Sequence, residues 1–277
     1  MSNLALRVLT ALVGVPIAVG AVWLGGWWFG AFIAAAAAAA QWELYGLYRA
    51  SGARPFVWVG LAVGAAASLR ALIPDAVIPA LLAGTCLTII YALRRPPEAD
   101  RTQAPLADTA ATALGVLYPA LLAGGAVALR EAGGLGDAQA FWLTTAVLVC
   151  VWGSDSFAYL AGRALGRRKL FPRVSPNKTW EGAAGGLAGA VGLAALAKVL
   201  VLPDVLTWGD VAGIGLLCGA ASQFGDLAES QLKRAAGVKD SGTWIPGHGG
   251  MLDRIDAAVI AVALVAAYAE AVRGWIA

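Results

Sequence analysis

Ionisable and metal-binding side chains are scarce in this chain of 277 residues. Charged residues make up 13% of the sequence, histidine occurs once, and none of the three cysteines belongs to a CxxC pair. A structural zinc site or a disulfide framework is therefore not expected, because each needs a cluster of such side chains. What the chain has instead is apolar: 60% of its residues are hydrophobic and its mean hydropathy is +0.73, well above a soluble domain.

Apolar segments about long enough to cross a bilayer recur along the whole chain. They fall at 6–25, 27–47, 57–73, 76–93, 109–129, 141–161, 180–201, 208–227 and 255–275. The sequence thus predicts an all-α, polytopic membrane protein with about nine transmembrane helices. We divide it into residues 1–140, with about five spans, and residues 141–277, a catalytic region with about four spans and cytosolic loops.

The positive charges are distributed unevenly between the two sides of this predicted arrangement. With the N-terminus in the cytosol, only Arg70, Arg130, Lys198 and Arg273 of the twenty lysines and arginines fall on the opposite side. This asymmetry is typical of the positive-inside rule. The positive charge is therefore explained by the membrane topology and by contact with anionic lipid headgroups or phosphates. The net charge of +3 gives no indication that nucleic acid is a partner.

One stretch, KDSGTWIPGHGGMLDRID at 239–256, concentrates charge in the apolar chain. Just before it come Asp226 and Glu229, and near its end come Asp253 and Asp256. Residues three apart share a helix face, so each pair points one way, and we predict that the two pairs converge. Paired carboxylates without histidine or cysteine suit a hard cation such as Mg²⁺, which also takes water and substrate phosphate.

Basic residues near these carboxylates can neutralise phosphate oxygens. They are Lys233, Arg234, Lys239 and Arg254. The alternative is that each carboxylate only forms an ion pair with a neighbouring lysine or arginine. Glu43, a single carboxylate in the first half, is interpreted as an interfacial or helix-paired group.

Two loops offer further contacts for phosphate. The glycines around His248 let backbone amides approach an anion just before the last span, while His248 itself is either a satisfied hydrogen-bonding group or a functional one. In SPNKTWEG at 175–182, Ser175 is predicted to N-cap a helix that has Pro176 at its first position, which would bring Lys178 near phosphate. A plain helix cap is the alternative.

The segment SQLKRAAGVKDSGTWIPGHGGMLDRID at 230–256 resembles the signature of the phosphatidate cytidylyltransferases, or CDP-diacylglycerol synthases. The matching positions are Ser230, Lys233-Arg234, Lys239-Asp240, Pro246, His248-Gly249-Gly250 and Asp253-Arg254-Ile255-Asp256. Segments 155–170, 175–182 and 223–230 also resemble that family. The first half of the chain matches it only as a series of hydrophobic spans.

The resemblance implies transfer of CMP from CTP to phosphatidic acid, giving CDP-diacylglycerol and pyrophosphate for phospholipid synthesis. It implies a multi-pass protein of the bacterial inner membrane with its active site on the cytosolic side. The expected cofactor is Mg²⁺, and the need for an additional monovalent cation is left open. The expected partners are CTP, phosphatidic acid and membrane lipids, and a homodimer would accord with the family.

For this reaction we expect two sets of site residues. Metal ligands and catalytic groups are Asp226, Asp253 and Asp256, with Lys239 and His248 as further catalytic groups. Substrate-binding residues are Ser175, Lys178, Ser230, Lys233, Arg234, Asp240 and Arg254.

Other functions remain open at this point. A secondary transporter would also hold charges in its spans, although no internal repeat is visible here and the charges cluster at one face. An enzyme that activates another lipid phosphate or a lipid alcohol would share the motif. A purely structural scaffold would leave the charged stretch unexplained.

Overall fold

The computed structural model describes residues 3–94, 104–244 and 249–276, which form helices and one small hairpin. In chain order the elements are α1 (Asn3–Leu24), α2 (Gly26–Ala50), α3 (Val57–Ser68), α4 (Pro74–Arg94), α5 (Ala104–Gly115), a π-helical segment (Val116–Leu121), α6 (Leu122–Arg130), α7 (Asp137–Leu165), β1 (Lys169–Phe171), β2 (Ser175–Thr179), α8 (Trp180–Leu200), α9 (Trp208–Ala235) and α10 (Leu252–Ala271). The predicted helical architecture is confirmed, with the hairpin as an addition.

Five helical stretches in the described residues are long and apolar enough to cross a membrane. They are Pro74–Arg94, Pro105–Arg130, Asp137–Leu165, Trp180–Leu200 and Trp208–Ala235. Helix α3 has only 12 residues, about half of what a bilayer requires. In α1 the part described with its side chains, Leu12–Leu24, is a shorter apolar helix, and α2 and α10 are helical but are not among the five. A membrane protein is thus supported, whereas the count of nine spans is not confirmed.

Large apolar side chains on the outer surface agree with a lipid environment. Trp28 is 72% exposed, Trp58 77% and Leu93 80%. In water such side chains would favour burial or association, whereas hydrocarbon solvates them without cost.

Small residues allow the helices of the second half to pack closely. A Cβ added at Gly225 of α9 would collide with the backbone carbonyl of Asp256 in α10. The glycines at 185, 186 and 189 of α8 likewise face α7, where a Cβ would meet Ala161, Ser154 and Phe157. The close approach of α9 and α10 brings the two predicted carboxylate pairs to the same region.

The predicted cap of the seventh span is wrong. Ser175 and Pro176 belong to β2, which pairs antiparallel with β1, so that Phe171 is opposite Ser175 and Lys169 opposite Thr179. Helix α8 begins at Trp180, and its N-cap is Thr179, whose Oγ1 accepts a hydrogen bond from the Gly182 amide at 3.1 Å. The hairpin bonds satisfy the backbone of 175–179 in extended form, and Thr179 can cap just as well as serine.

Candidate active site

Lys233 lies at the centre of a buried ionic cluster between α9 and α10. Its Nζ is 2.5 Å from Glu229 Oε2, one turn earlier on α9, and 2.5 Å from Asp253 Oδ1 in the first turn of α10. The three side chains are 10%, 1% and 6% exposed. The prediction that the two carboxylate pairs converge is confirmed by this arrangement, and each charge has an opposite charge in contact.

Asp253 also organises the loop that precedes α10. Its Oδ2 accepts hydrogen bonds from the Ser241 amide at 3.0 Å, the Ser241 hydroxyl at 2.9 Å and the Gly250 amide at 2.8 Å. Both carboxylate oxygens therefore have protein partners. In this structure Asp253 holds the start of α10 against α9 and against the loop.

Asp226 connects α9 to the hairpin. Its Oδ2 is 2.7 Å from Lys178 Nζ on β2, and its Oδ1 accepts a hydrogen bond from the Ser230 hydroxyl at 3.2 Å. Lys178 and Asp226 are 23% and 35% exposed, so this pair is reachable from solvent. Three of the predicted site residues thus contact one another directly.

A groove of about 510 Å³ opens beside this pair, between α7, the hairpin, α8 and α9. Its charged and amide side chains are those of Asp155, Arg163, Asn177, Lys178, Gln223 and Asp226. Its volume lies within the range of small-molecule sites. The mixture of two cations and two carboxylates suits a ligand that carries phosphate groups and a metal ion.

Several carboxylates near the groove lack full compensation by the protein. The negative charge of Asp226 acts on both Asp155 and Asp256, and Asp256 is 8% exposed with one oxygen bonded to the Ala257 amide at 2.7 Å. Glu229 Oε1 is buried without a hydrogen-bond partner among the described residues. A bound cation would relieve the mutual repulsion of such carboxylates.

The donor set fits Mg²⁺ in its chemistry. Within 3–94, 104–244 and 249–276, no three Asp, Glu, His or Cys side chains form a ready metal cluster. Mg²⁺, however, usually takes one or two protein carboxylates and completes its shell with water and substrate phosphates. Asp226 and Asp256 are the candidates: Asp226 has two partners, Lys178 and Ser230, whereas Asp253 already has four protein donors.

The remaining predicted residues are exposed, half-buried or outside the described residues. Lys239, Asp240, Arg234 and Arg254 are exposed. Arg234 donates a hydrogen bond to the Val238 carbonyl at 2.8 Å and so closes the end of α9. Ser175 is half-buried in β2. Pro246 and His248 fall in 245–248, outside the described residues, so their predicted roles stay predictions.

Three backbone amides at the start of α10 already have partners within the protein, whereas residues 247 and 248 of the predicted anion loop lie outside the described residues. The Gly250 amide donates to Asp253, and the Met251 and Leu252 amides donate to Glu43 at 3.0 and 2.8 Å. Two carboxylates of the protein thus take the donors that a helix N-terminus offers. Gly249 has a φ of +80°, a conformation that glycine adopts without strain.

Two residues of the first half reach this region although sequence reasoning did not assign them to it. Glu43 of α2 is 4% exposed and contacts the loop before α10. Tyr118 of the π-helical segment is 8% exposed, and its hydroxyl has no hydrogen-bond partner in the described part of the chain. The charges of Asp256, Glu229 and Asp226 act on that hydroxyl. A carboxylate within a predicted span, in a half with few charges inside its spans, was the only signal for Glu43, and Tyr118 had none.

Comparisons with known proteins identify the family of the chain. The family model described as "Cytidylyltransferase family" matches residues 5–272. A phosphatidate cytidylyltransferase of Brucella abortus is 39% identical over 95% of this chain and 92% of its own length. Those of Pseudomonas aeruginosa and Synechocystis are 38% and 33% identical, covering 97% and 94% of both chains. The chain therefore belongs to the cytidylyltransferase family of nucleotidyltransferase enzymes, as the motif at 230–256 predicted.

Proposed function

We propose that this enzyme transfers CMP from CTP to phosphatidic acid, with CDP-diacylglycerol and pyrophosphate as products. The observation that carries the proposal is the cluster of Lys233 with Glu229 and Asp253 between α9 and α10, in a chain whose residues 5–272 match the cytidylyltransferase family. The names of the relatives support CTP and phosphatidate as substrates. The cluster is contiguous with spanning helices, as an enzyme for a membrane lipid requires.

The reaction needs no nucleophile from the protein. A phosphate oxygen of phosphatidate attacks the α-phosphorus of CTP and forms a new P–O bond. The bond between the α-phosphorus and the bridging oxygen breaks, and pyrophosphate leaves with the electron pair. Catalysis then depends on alignment of the two substrates and on neutralisation of their charges. Lys178 lies in the groove and can contact phosphate, and the exposed Lys239 and Arg254 can approach it from the rim.

Mg²⁺ would be held by Asp226 and Asp256, and by Asp253 if it exchanges one of its present partners. When bound, the ion supplies positive charge that offsets the triphosphate and polarises the P–O bonds. The chain's own contribution is the fixed position of these carboxylates, which the contacts with Lys178 and Ser230 support for Asp226. Whether a monovalent cation also takes part is tested by adding K⁺ or Na⁺ to the same assay.

The cytosolic side of a bacterial inner membrane is the proposed location of the site. Support comes from the bacterial relatives, from the apolar helices and from the concentration of lysine and arginine in the connections next to the site. A homodimer remains part of the proposal, and the mass of the purified protein in detergent tests it.

The proposal is tested by CMP transfer from radiolabelled CTP to phosphatidate in detergent micelles, with Mg²⁺ or with EDTA. Asp226→Asn removes a proposed ligand while preserving shape, and Asp204→Asn, exposed in the loop between α8 and α9, is the matched control. We expect Mg²⁺-dependent product with the parent and the control, and little with Asp226→Asn. A folded parent that makes product only with another lipid phosphate or a lipid alcohol would overturn the substrate assignment.

A further inference from the structure

Glu43 is a buried carboxylate of α2 whose partners all lie in the second half of the chain. Its Oε2 accepts hydrogen bonds from the Ser241 hydroxyl at 2.9 Å and the Leu252 amide at 2.8 Å, and its Oε1 accepts one from the Met251 amide at 3.0 Å. The residue is 4% exposed. A buried carboxylate is costly unless it is fully hydrogen-bonded, and these donors meet that need.

The partners of Glu43 come from the two ends of one segment. Ser241 lies in the loop after α9, and Met251 and Leu252 stand where α10 starts. One carboxylate therefore holds residue 241 next to residues 251 and 252. The side chain of Glu43 thus ties both of these points to α2.

Ser241 connects Glu43 to the ionic cluster. Its hydroxyl is 2.9 Å from Glu43 Oε2 and 2.9 Å from Asp253 Oδ2. A serine hydroxyl has one proton, so these two carboxylates share a single donor. Asp253 in turn contacts Lys233. The order Glu43, Ser241, Asp253, Lys233 is a continuous path from α2 to the centre of the site.

The carboxylate of Glu43 also explains why two positions of the motif are occupied by glycine. A Cβ at Gly242 would lie 2.5 Å from Glu43 Oε1, and a Cβ at Gly250 would collide with Glu43 Oε2 and Ser241 Oγ. Neither backbone can move away without losing the bonds to Ser241 or to α10. The loop is thus built around Glu43 and leaves no space for a larger side chain at these points.

We propose that Glu43 is a positioning residue for the proposed cytidylyl transfer, acting through Ser241 and Asp253 on the loop that carries the family motif. The inference deepens the proposed function and rests on it. Glu43 lies outside the groove and forms its bonds with the protein itself, so its contribution is the geometry of the loop. It also gives the first half of the chain a defined part in the site.

The first test measures the loop without any turnover. Amide hydrogen exchange of full-length protein in detergent is compared for the parent, Glu43→Gln, Glu43→Ala and Gln41→Ala. Gln41 is the matched control, because it is fully buried on the same helix and bonds Tyr45 instead of the loop. We expect exchange in peptides covering 241–252 to become about tenfold faster in both Glu43 variants only. Unchanged exchange in a folded Glu43→Ala, or an equal change in Gln41→Ala, would refute the proposal.

The second test asks whether the loop geometry reaches the reaction. For Glu43→Gln we expect kcat/KM for CTP to fall about 10- to 100-fold, while Gln41→Ala stays within about twofold of the parent. In the double variant Glu43→Gln with Ser241→Ala, kcat/KM should fall no further than in the less active of the two single variants, because both residues act on one path. Independent, additive losses would show that Glu43 does not act through Ser241.

The two tests separate the two proposals. A parent without CMP transfer to phosphatidate removes the proposed function and leaves the exchange result to decide whether Glu43 holds the loop. An active parent with unchanged activity and exchange in Glu43→Gln and Glu43→Ala removes the positioning role and leaves the proposed function in place.

Discussion

Lys233 and Asp253, on different helices and twenty residues apart, contact each other at 2.5 Å in an almost fully buried ion pair. The second contact of Lys233, to Glu229, places one cation between two carboxylates. This pair, together with the close approach of Gly225 to the Asp256 backbone, holds α10 against α9.

Removing the cation of this cluster should destabilise the protein strongly. Lys233→Met preserves the length and the apolar stem but leaves Glu229 and Asp253 buried without a positive partner, a change that costs about 3–5 kcal/mol. The matched control is Arg234→Met, the exposed neighbour whose replacement should change stability by less than about 0.5 kcal/mol. Thermal unfolding in detergent measures both. Equal midpoints for the two variants would show that the pair contributes nothing to the fold.

The sequence predicted which carboxylates share a helix face, but not which groups contact them. Spacing placed Asp226 with Glu229 and Asp253 with Asp256, since a helix puts residues three apart on one face regardless of the remaining fold. It could not show that Lys233 and Ser241 take up the oxygens of Asp253, because these bonds depend on how α9, α10 and the loop pack.

Predictions from local sequence patterns were wrong where the same residues are compatible with two different structures. A serine followed by proline is typical of a helix start, yet Ser175 and Pro176 lie in a strand because β1 offers backbone partners and Thr179 caps the helix instead. Apolar runs likewise predicted helices well but not the number of spans, since α3 is too short to cross a bilayer alone. Glu43 was missed because its partners lie about 200 residues away in the chain.

The start of α8 can be tested through its cap. Thr179→Ala removes the hydroxyl that accepts from the Gly182 amide, and a lost N-cap costs about 1 kcal/mol. Ser175→Ala, at the residue that the sequence alone suggested as the cap, should change stability by less than about 0.5 kcal/mol. The comparison uses unfolding midpoints and not activity, because Ser175 is also a substrate-binding candidate. A larger loss for Ser175→Ala would place the helix start where the sequence had it.

The pair of Lys178 and Asp226 allows metal binding to be separated from simple charge pairing. Because both side chains are partly exposed, breaking the pair should cost less than about 1 kcal/mol of stability in either Asp226→Asn or Lys178→Met. Both variants should lose CMP transfer. Only Asp226→Asn should raise the Mg²⁺ concentration needed for half-maximal activity, since only it removes a proposed ligand. An identical Mg²⁺ dependence in the two variants would show that Asp226 forms an ion pair with Lys178 but does not bind the metal ion.

Tyr118 offers a test in which stability and activity are expected to change in opposite directions. Its hydroxyl is buried without a hydrogen-bond partner among the described residues, so Tyr118→Phe removes a group that is costly to bury and should leave the unfolding midpoint equal or higher. The charges of Asp256, Glu229 and Asp226 act on the same hydroxyl, and we predict that it donates a hydrogen bond to a substrate phosphate. We therefore expect CMP transfer to fall about tenfold, the usual effect of one lost hydrogen bond to a charged group. The control is Tyr45→Phe, whose hydroxyl donates to the Thr112 carbonyl and whose loss should lower stability without a comparable loss of turnover. Full activity in a folded Tyr118→Phe would exclude the hydroxyl from substrate binding and leave the π-helical segment with a packing role.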